Sequence, residues 1–422
     1  MNPYEKCNGV TPMKNLKGRC VFAQSGGPTS VINAGIAGGI LAALKNPSIT
    51  GVLCAHHGVK GILNEDFFDM RKEDESEILA LKNTPASAFG SVRYKLKDYE
   101  IDDTDYKRIL EVFKKYDIRY FFYNGGNDSM DTCDKVSKYM QKVGYEVNVI
   151  GIPKTIDNDL AGTDHCPGYG SAAKYIATSI AEINRDADIY ESPLVIVVEI
   201  MGRNAGWLTA AASLASINGQ GADLIYLPEI VFDKDKFLSD VKRVVDKKQK
   251  CVVAVSEGIR YANGTYVGED ASATDNFGHS QLGGVCGVLK NFVKTLGVKC
   301  KAIELNILQR CAAHCASDTD VEETFTAGQK AVEAATNGET DKMVCFIRES
   351  DSPYSATYGL TPLTITANAE KRIPLDWITS DGTGLNDKFT AYALPLIQGE
   401  PKIRYKNGLP DYAKLKFEKF KI

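Results

Sequence analysis

Gly151-Ile152-Pro153-Lys154-Thr155-Ile156-Asp157-Asn158-Asp159 is the most informative stretch of the chain. The apolar run before it, Val147–Ile152, reads as a strand buried on both faces. Where that strand emerges, two carboxylates and an amide crowd together beside a lysine. Core packing has no use for such a density of polar groups, because each needs a partner or water. A phosphotransferase does: one carboxylate takes a hydroxyl proton, others orient a metal, and a lysine holds phosphate. The simpler alternative is a solvated turn, so the rest of the chain has to be weighed with it.

Outward from this loop, apolar runs alternate with amphipathic stretches, the pattern of a parallel α/β sheet. Strands are predicted at Cys20–Gln24, Tyr120–Tyr123, Val147–Ile152, Leu194–Ile200, Leu224–Leu227, Cys251–Ser256, Ala302–Leu305 and Met343–Ile347. Lys234 to Lys248 carries Phe237, Leu238, Val241, Val244 and Val245 at helical spacing and reads as a surface helix. The charge run from Asn64 to Lys82 reads as a solvated helical face. The stretch Asp376 to Ile422 has little strand signal and stays unassigned.

Three further loops follow predicted strands, where an open α/β sheet places its ligands. Gln24-Ser25-Gly26-Gly27-Pro28-Thr29-Ser30 offers two glycines for close approach to an anion, then a helix N-terminus. A tight turn without a ligand would look the same. Asn124-Gly125-Gly126-Asn127-Asp128-Ser129-Met130 adds oxygens suited to a metal, or else caps a helix. Glu199-Ile200-Met201-Gly202-Arg203 ends a strand on a guanidinium, which can fork onto phosphate or form a salt bridge. Ser256-Glu257-Gly258 and Leu308-Gln309-Arg310 each add one charge at or just beyond a strand end.

The 422 residues exceed one usual domain of about 100–200, so two or three lobes are expected. A net charge of -4 gives no basic field for nucleic acid or an acidic membrane surface. No apolar run approaches the roughly 20 residues of a membrane span, and Met1 to Lys17 is too polar for a secretory signal. Eleven cysteines, scattered singly, read as reduced thiols and imply a cytoplasmic setting. Cys311-Ala-Ala-His314-Cys315 is read as core filling rather than a metal site.

Taken in order, these loops resemble the phosphofructokinase family over roughly residues 19–350. The family's Gly-Gly-Asp-Gly-Ser loop corresponds to Gly125-Gly126-Asn127-Asp128-Ser129, and its Thr-Ile-Asp-Asn-Asp motif stands intact at Thr155 to Asp159. Its Met-Gly-Arg motif is Met201 to Arg203, its strand-end glutamate is similar to Glu257, and its Gln-Arg to Gln309-Arg310. Arg93 matches an arginine near the transferred phosphate, and Gly26 the first glycine of the opening loop. ATP-using members carry glycine where this chain has Asp128 and Lys154, whereas the Asp/Lys combination is similar to the pyrophosphate-dependent branch. The implied reason is steric and electrostatic: a carboxylate and an ammonium shorten the donor pocket, and Asp128 pairs with Lys154 and repels a third phosphate.

The resemblance implies an α/β fold of two lobes, each a mainly parallel sheet between helices. It implies a pyrophosphate lobe over residues 1–168 with a returning segment near 310–350, and a fructose 6-phosphate lobe over 169–309. Residues 351–422 remain unassigned. It implies reversible, Mg²⁺-dependent transfer from diphosphate to fructose 6-phosphate, giving fructose 1,6-bisphosphate. Asp157 would be the base, aided by Lys154 and Asp128. Gly26, Arg93, Gly126, Asn127 and Lys154 would hold the donor, with Asp128 and Asn127 toward the metal. Thr155, Ile156, Asp157, Asp159, Met201, Gly202, Arg203, Glu257, Lys301 and Arg310 would bind the sugar phosphate. A homodimer or homotetramer is implied.

Three departures bear on this. Asn127 replaces a metal-associated aspartate of ATP enzymes, shifting weight to Asp128. Leu194 stands where many members donate an arginine from a neighbouring subunit, and Ile307 where ATP enzymes have a histidine. Lys301 keeps the charge of another family arginine. The alternatives are an ATP-dependent enzyme, disfavoured by Asp128 and Lys154, and a non-catalytic regulatory subunit, disfavoured by the retained Asp157. A kinase of another Gly-Gly-Asp class is disfavoured by the intact motifs at Thr155–Asp159 and Met201–Arg203.

Overall fold

The computed structural model describes residues 16–274, 280–282, 284–367 and 369–421. Residues 1–15, most of the polar amino-terminal stretch read above, lie outside the described residues.

The continuous apolar runs become parallel strands. β1 (Gly18–Gln24), β2 (Ile49–Ala55), β3 (Phe67–Asp69), β4 (Ile118–Gly125) and β5 (Asn148–Pro153) lie in the first sheet. The chain then crosses through the helix Tyr169–Ala187 to a second sheet. That sheet holds β6 (Leu194–Ile200), β7 (Leu224–Tyr226) and β8 (Lys250–Ser256). A separate antiparallel hairpin of β9 (Glu269–Thr274) and β10 (Ser280–Leu282) precedes β11 (Lys299–Glu304), which completes the second sheet. The helix Asp318–Thr336 returns the chain to the first sheet, where β12 (Lys342–Asp351) and β13 (Tyr354–Pro362) add to one edge.

The first sheet has the order β13-β12-β5-β4-β1-β2-β3, antiparallel only at its two ends. The second, β11-β6-β8-β7, is parallel throughout. From β1 the chain steps to β2 on one side and later to β4 on the other. The strand order therefore reverses between β1 and β4, and a crevice opens at their carboxyl ends.

Apolar clusters cover both faces of each sheet, which is why the strand interiors are almost wholly apolar. On the first sheet the helix Ile32–Lys45 meets Asp318–Thr336 backbone to backbone. A Cβ at Gly38 would lie 1.9 Å from the carbonyl oxygen of Phe325, and one at Gly328 1.8 Å from that of Gly35. Glycine inside a helix costs about 1 kcal/mol against alanine, and here that cost permits the close approach. The helix Lys234–Lys248 is capped by Asp233, whose carboxylate accepts from the Lys236 amide at 2.8 Å.

Two segments depart from the sequence expectation. Asn64 to Lys82 is only partly helical: it contains the edge strand β3, a 3₁₀ turn at Met70–Lys72 and a helix at Glu75–Ala80, with Phe67, Phe68 and Met70 buried. Its charges reflect a partner from the same chain. The unassigned stretch beyond Asp376 forms a helix, Asp387–Ala393, whose Phe389 and Tyr392 join the core of the second sheet. It then runs back across the first, placing Ala413 and Leu415 against that core. No helix of the described residues is long and apolar enough to cross a membrane.

Candidate active site

The carboxyl ends of the two sheets face a shared cavity of about 470 Å³. Ser25, Gly26 and Gly27 after β1, Asn127 and Asp128 after β4, and Lys154, Asp157 and Asp159 after β5 line one side. Met201 and Arg203 after β6, Glu257 after β8, and Arg310 beyond β11 line the other. Arg93 and Ile156 complete the wall.

Glycine is required where the first side turns. Gly26 has φ +79°, and a Cβ there would lie 3.2 Å from the Lys154 ammonium. A Cβ at Gly125 would lie 1.9 Å from the Ser129 hydroxyl, which is hydrogen-bonded to the Ser25 hydroxyl. The helix Asn127–Lys142 starts at this point, with its N-terminus at the cavity.

Lys154 is 3% exposed and donates to the carbonyl of Gly27 at 2.7 Å. Burial pushes its ammonium down to about 8, while the carboxylates of Asp157 and Asp159 oppose that shift. Arg310 and Arg93 act on it in the same direction as burial. The Arg310 guanidinium lies close enough to the turn that a Cβ at Gly27 would be 3.0 Å from Nη1. Three cations thus share one field beside a glycine turn, and a bound anion would relieve their mutual repulsion.

The acidic loop is anchored from beneath. Asn158, fully buried at φ +55°, donates to the Tyr392 hydroxyl at 2.8 Å and accepts from the Cys166 amide at 2.9 Å. This leaves Asp157 and Asp159, both partly buried, directed into the cavity. Burial raises both carboxyls above the ordinary carboxylate range. Glu257 adds to the rise at Asp157, and Asp157 to the rise at Asp159. The Asn127 amide donates to Asp159 at 3.2 Å, while its own oxygen is buried without a partner.

The opposite wall is tied strand to strand. The Met201 amide donates to Gln309 Oε1 at 3.2 Å, and the Gly202 amide to Glu257 Oε1 at 3.2 Å. The Ser256 hydroxyl donates to the Gly202 carbonyl at 2.6 Å. Burial raises the Glu257 carboxyl. Gln309 is 2% exposed and braces Met201, a role that an isolated glutamine beside an arginine does not announce. Glu370 likewise carries no signal in the sequence. Its charge raises both Asp157 and Asp159, but it lies far along the chain in a segment with no motif.

Three expectations need correction. Asp128 does not pair with Lys154. It is exposed at the cavity mouth and faces Lys95 at 3.9 Å, because the lysine is drawn inward to Gly27. Lys301 does not reach this cavity. It lies in the body of β11, about 10 Å short of the strand's carboxyl end. Its ammonium is 3.6 Å from Asp186 and 4.9 Å from the centroid of the Tyr190 ring. Arg310 does reach the cavity, but beside Gly27 rather than beside Lys301. Leu194 is buried in the second core, and Ile307 is exposed.

Two sheets meeting at a cleft of buried carboxylates, glycine turns and converging cations define an α/β protein built for phosphorylated ligands. A family model, that of phosphofructokinase, matches residues 19–335. The chain is 48% identical over 400 residues to the pyrophosphate–fructose 6-phosphate 1-phosphotransferase of Halomonas elongata, covering 93% of this chain and 95% of that protein. It is 46% identical to the enzyme of the same name from Methylococcus capsulatus, again covering 93% and 95%. The crystal structure of the pyrophosphate-dependent phosphofructokinase from Nitrosospira multiformis superposes with a TM-score of 0.88 at 43% identity, covering 96% of this chain and 98% of that one. The chain belongs to the phosphofructokinase family.

Proposed function

We propose that the protein transfers a phosphoryl group from pyrophosphate to the 1-hydroxyl of fructose 6-phosphate, reversibly. The names of the relatives support this. The observation that carries it is Lys154, a buried ammonium set on the Gly26–Gly27 turn. It occupies space at the donor loop and supplies a desolvated charge to a small, highly charged donor.

In this reading the sugar lies against Met201, Arg203 and Glu257, and pyrophosphate lies in the field of Lys154, Arg93 and Arg310. Asp157 takes the proton of the 1-hydroxyl as its oxygen bonds to phosphorus. The bond from that phosphorus to the bridging oxygen breaks, releasing orthophosphate. The raised Asp157 carboxyl is a stronger base than an exposed aspartate while remaining ionised near neutral pH. The site suits Mg²⁺, a hard cation that takes one or two carboxylates together with substrate phosphates. Asp159 and the unpartnered Asn127 oxygen would hold it, with Asp128 farther out at the mouth. When bound, the metal would neutralise charge on the transferred phosphate.

We assign donor binding to the lobe of the first sheet and most sugar contacts to the second. We also propose a homodimer or homotetramer in the cytoplasm. The free thiols among the described cysteines accord with a reducing compartment. The test is a coupled assay of fructose 1,6-bisphosphate formation with each donor. Turnover with pyrophosphate and orthophosphate-dependent reversal are expected, and turnover with ATP alone would overturn the proposal.

A further inference from the structure

The segment Ala413–Phe420 runs as a strap over the acidic run that follows β2. The Lys414 amide donates to Glu77 at 2.6 Å, and the Lys416 and Phe417 amides to Glu73 at 2.7 and 2.8 Å. The Lys416 ammonium meets Asp74 at 2.8 Å, and Lys419 pairs with Asp66. The Asp69 amide donates to the Glu418 carbonyl at 3.0 Å and the Phe420 amide to that of Phe67 at 2.8 Å, so the strap also covers the edge strand β3.

Covering an edge does not account for Phe417. Its φ of +52° is unfavourable for a bulky residue, and Glu73 holds it there. Its ring packs edge-on against Phe68 at 5.1 Å and Phe89 at 6.2 Å. Phe89 is fully buried and opens the segment that ends in Arg93. That segment is laced to the donor turn. The Phe89 amide donates to Gln24 Oε1 at 3.1 Å, the Ser91 hydroxyl to the Gly26 carbonyl at 2.6 Å, and the Gly26 amide to the Val92 carbonyl at 3.4 Å.

We infer that the strap is a positioning element for the phosphoryl donor, with Phe417 holding Phe89 and thereby the register of Arg93 and Gly26. This rests on the pyrophosphate reading above. Displacing a group that holds phosphate weakens a charge-assisted hydrogen bond, so loss of the ring should act on the donor and spare the sugar. A strap that only covers an edge would not discriminate between the two substrates.

The test compares the full chain with F417A, F417L and Glu73→Gln. Inorganic pyrophosphate binding is measured by calorimetry, alongside both Michaelis constants, kcat and the thermal midpoint. The expected result is pyrophosphate binding weakened about tenfold in F417A, with the constant for fructose 6-phosphate and kcat nearly unchanged. F417L should recover most of the loss, and Glu73→Gln should show the same selectivity in smaller measure. Equal pyrophosphate binding in the natural chain and both F417A and Glu73→Gln overturns the inference. So does a parallel shift of both constants with a lowered thermal midpoint. If F417A does not fold, the selectivity of Glu73→Gln decides in the same way. If the natural chain binds no pyrophosphate, the functional reading itself fails.

Discussion

Lys154 donates to the carbonyl of Gly27 at 2.7 Å, so the one buried lysine of the cavity wall is tied to the glycine turn rather than to an acid. Its ammonium, pushed down to about 8 by burial, is charged at neutral pH and loses its proton as the pH rises through that value. Pyrophosphate affinity should therefore fall across that range, and Lys154→Met should both weaken binding and flatten this alkaline limb. The Michaelis constant for pyrophosphate measured from pH 6.5 to about 9.5 in both proteins checks it.

Asp128 and Lys154 stand on separate partners, Lys95 and Gly27. Their effects on pyrophosphate use should therefore multiply to within about a factor of two in Asp128→Gly, Lys154→Gly and the double variant. Strong coupling in that cycle would mean the two charges meet once the donor is bound. Asp128→Gly opens the mouth of the cavity, and weak ATP-dependent activity should appear in it or in the double variant.

Asp157→Asn should lower kcat by about 10²–10⁴-fold and leave both Michaelis constants nearly unchanged. In the natural protein the acid limb of kcat/KM should fall above the ordinary carboxylate range, because burial and Glu257 raise the Asp157 carboxyl. A pH profile with its acid limb near 4 would count against Asp157 as the base.

Much of this was legible in the chain because the signal was local. Leu194–Ile200 and the helix Lys234–Lys248 appear with the boundaries that their periodicity predicts. The loops at Thr155–Asp159 and Met201–Arg203 declared themselves because polar residues at a buried strand end need a reason. What stayed hidden depends on distant partners. The charges of Asn64 to Lys82 read as solvated because the strap that binds them lies over 300 residues away. Lys301 stands on a family arginine position, but its place within β11, away from this chain's own cavity, depends on how far the strand runs and is not written in the sequence. Glu370 and Tyr392 act on the acidic loop from a stretch without motif or period.

The crowding of Asp157, Asp159 and Glu257 also has a cost in stability. A carboxyl whose folded value is raised favours folding at low pH, and that contribution is lost as pH rises through the folded value. Asp159→Asn should therefore raise the thermal midpoint at neutral pH while reducing turnover. The gain should shrink as pH falls toward about 4, where aspartate is protonated in the unfolded chain as well. Paired thermal melts of the two proteins at pH 7.5 and 4.5 check it.

Arg310 sits beside Gly27 at the junction of donor loop and sugar wall. Arg310→Met should accordingly raise the Michaelis constants for both pyrophosphate and fructose 6-phosphate, whereas Lys301→Met should leave that for pyrophosphate unaffected. Initial rates against each substrate separate the two.

The most direct measurement is the donor preference of the natural chain and Lys154→Gly. Each is assayed with fructose 6-phosphate and Mg²⁺, with pyrophosphate or ATP at matched concentrations. The expected result is rapid turnover with pyrophosphate and little with ATP in the natural chain, and loss of most pyrophosphate-dependent turnover in Lys154→Gly. A natural chain that prefers ATP, or a Lys154→Gly variant that uses pyrophosphate undiminished, would contradict it.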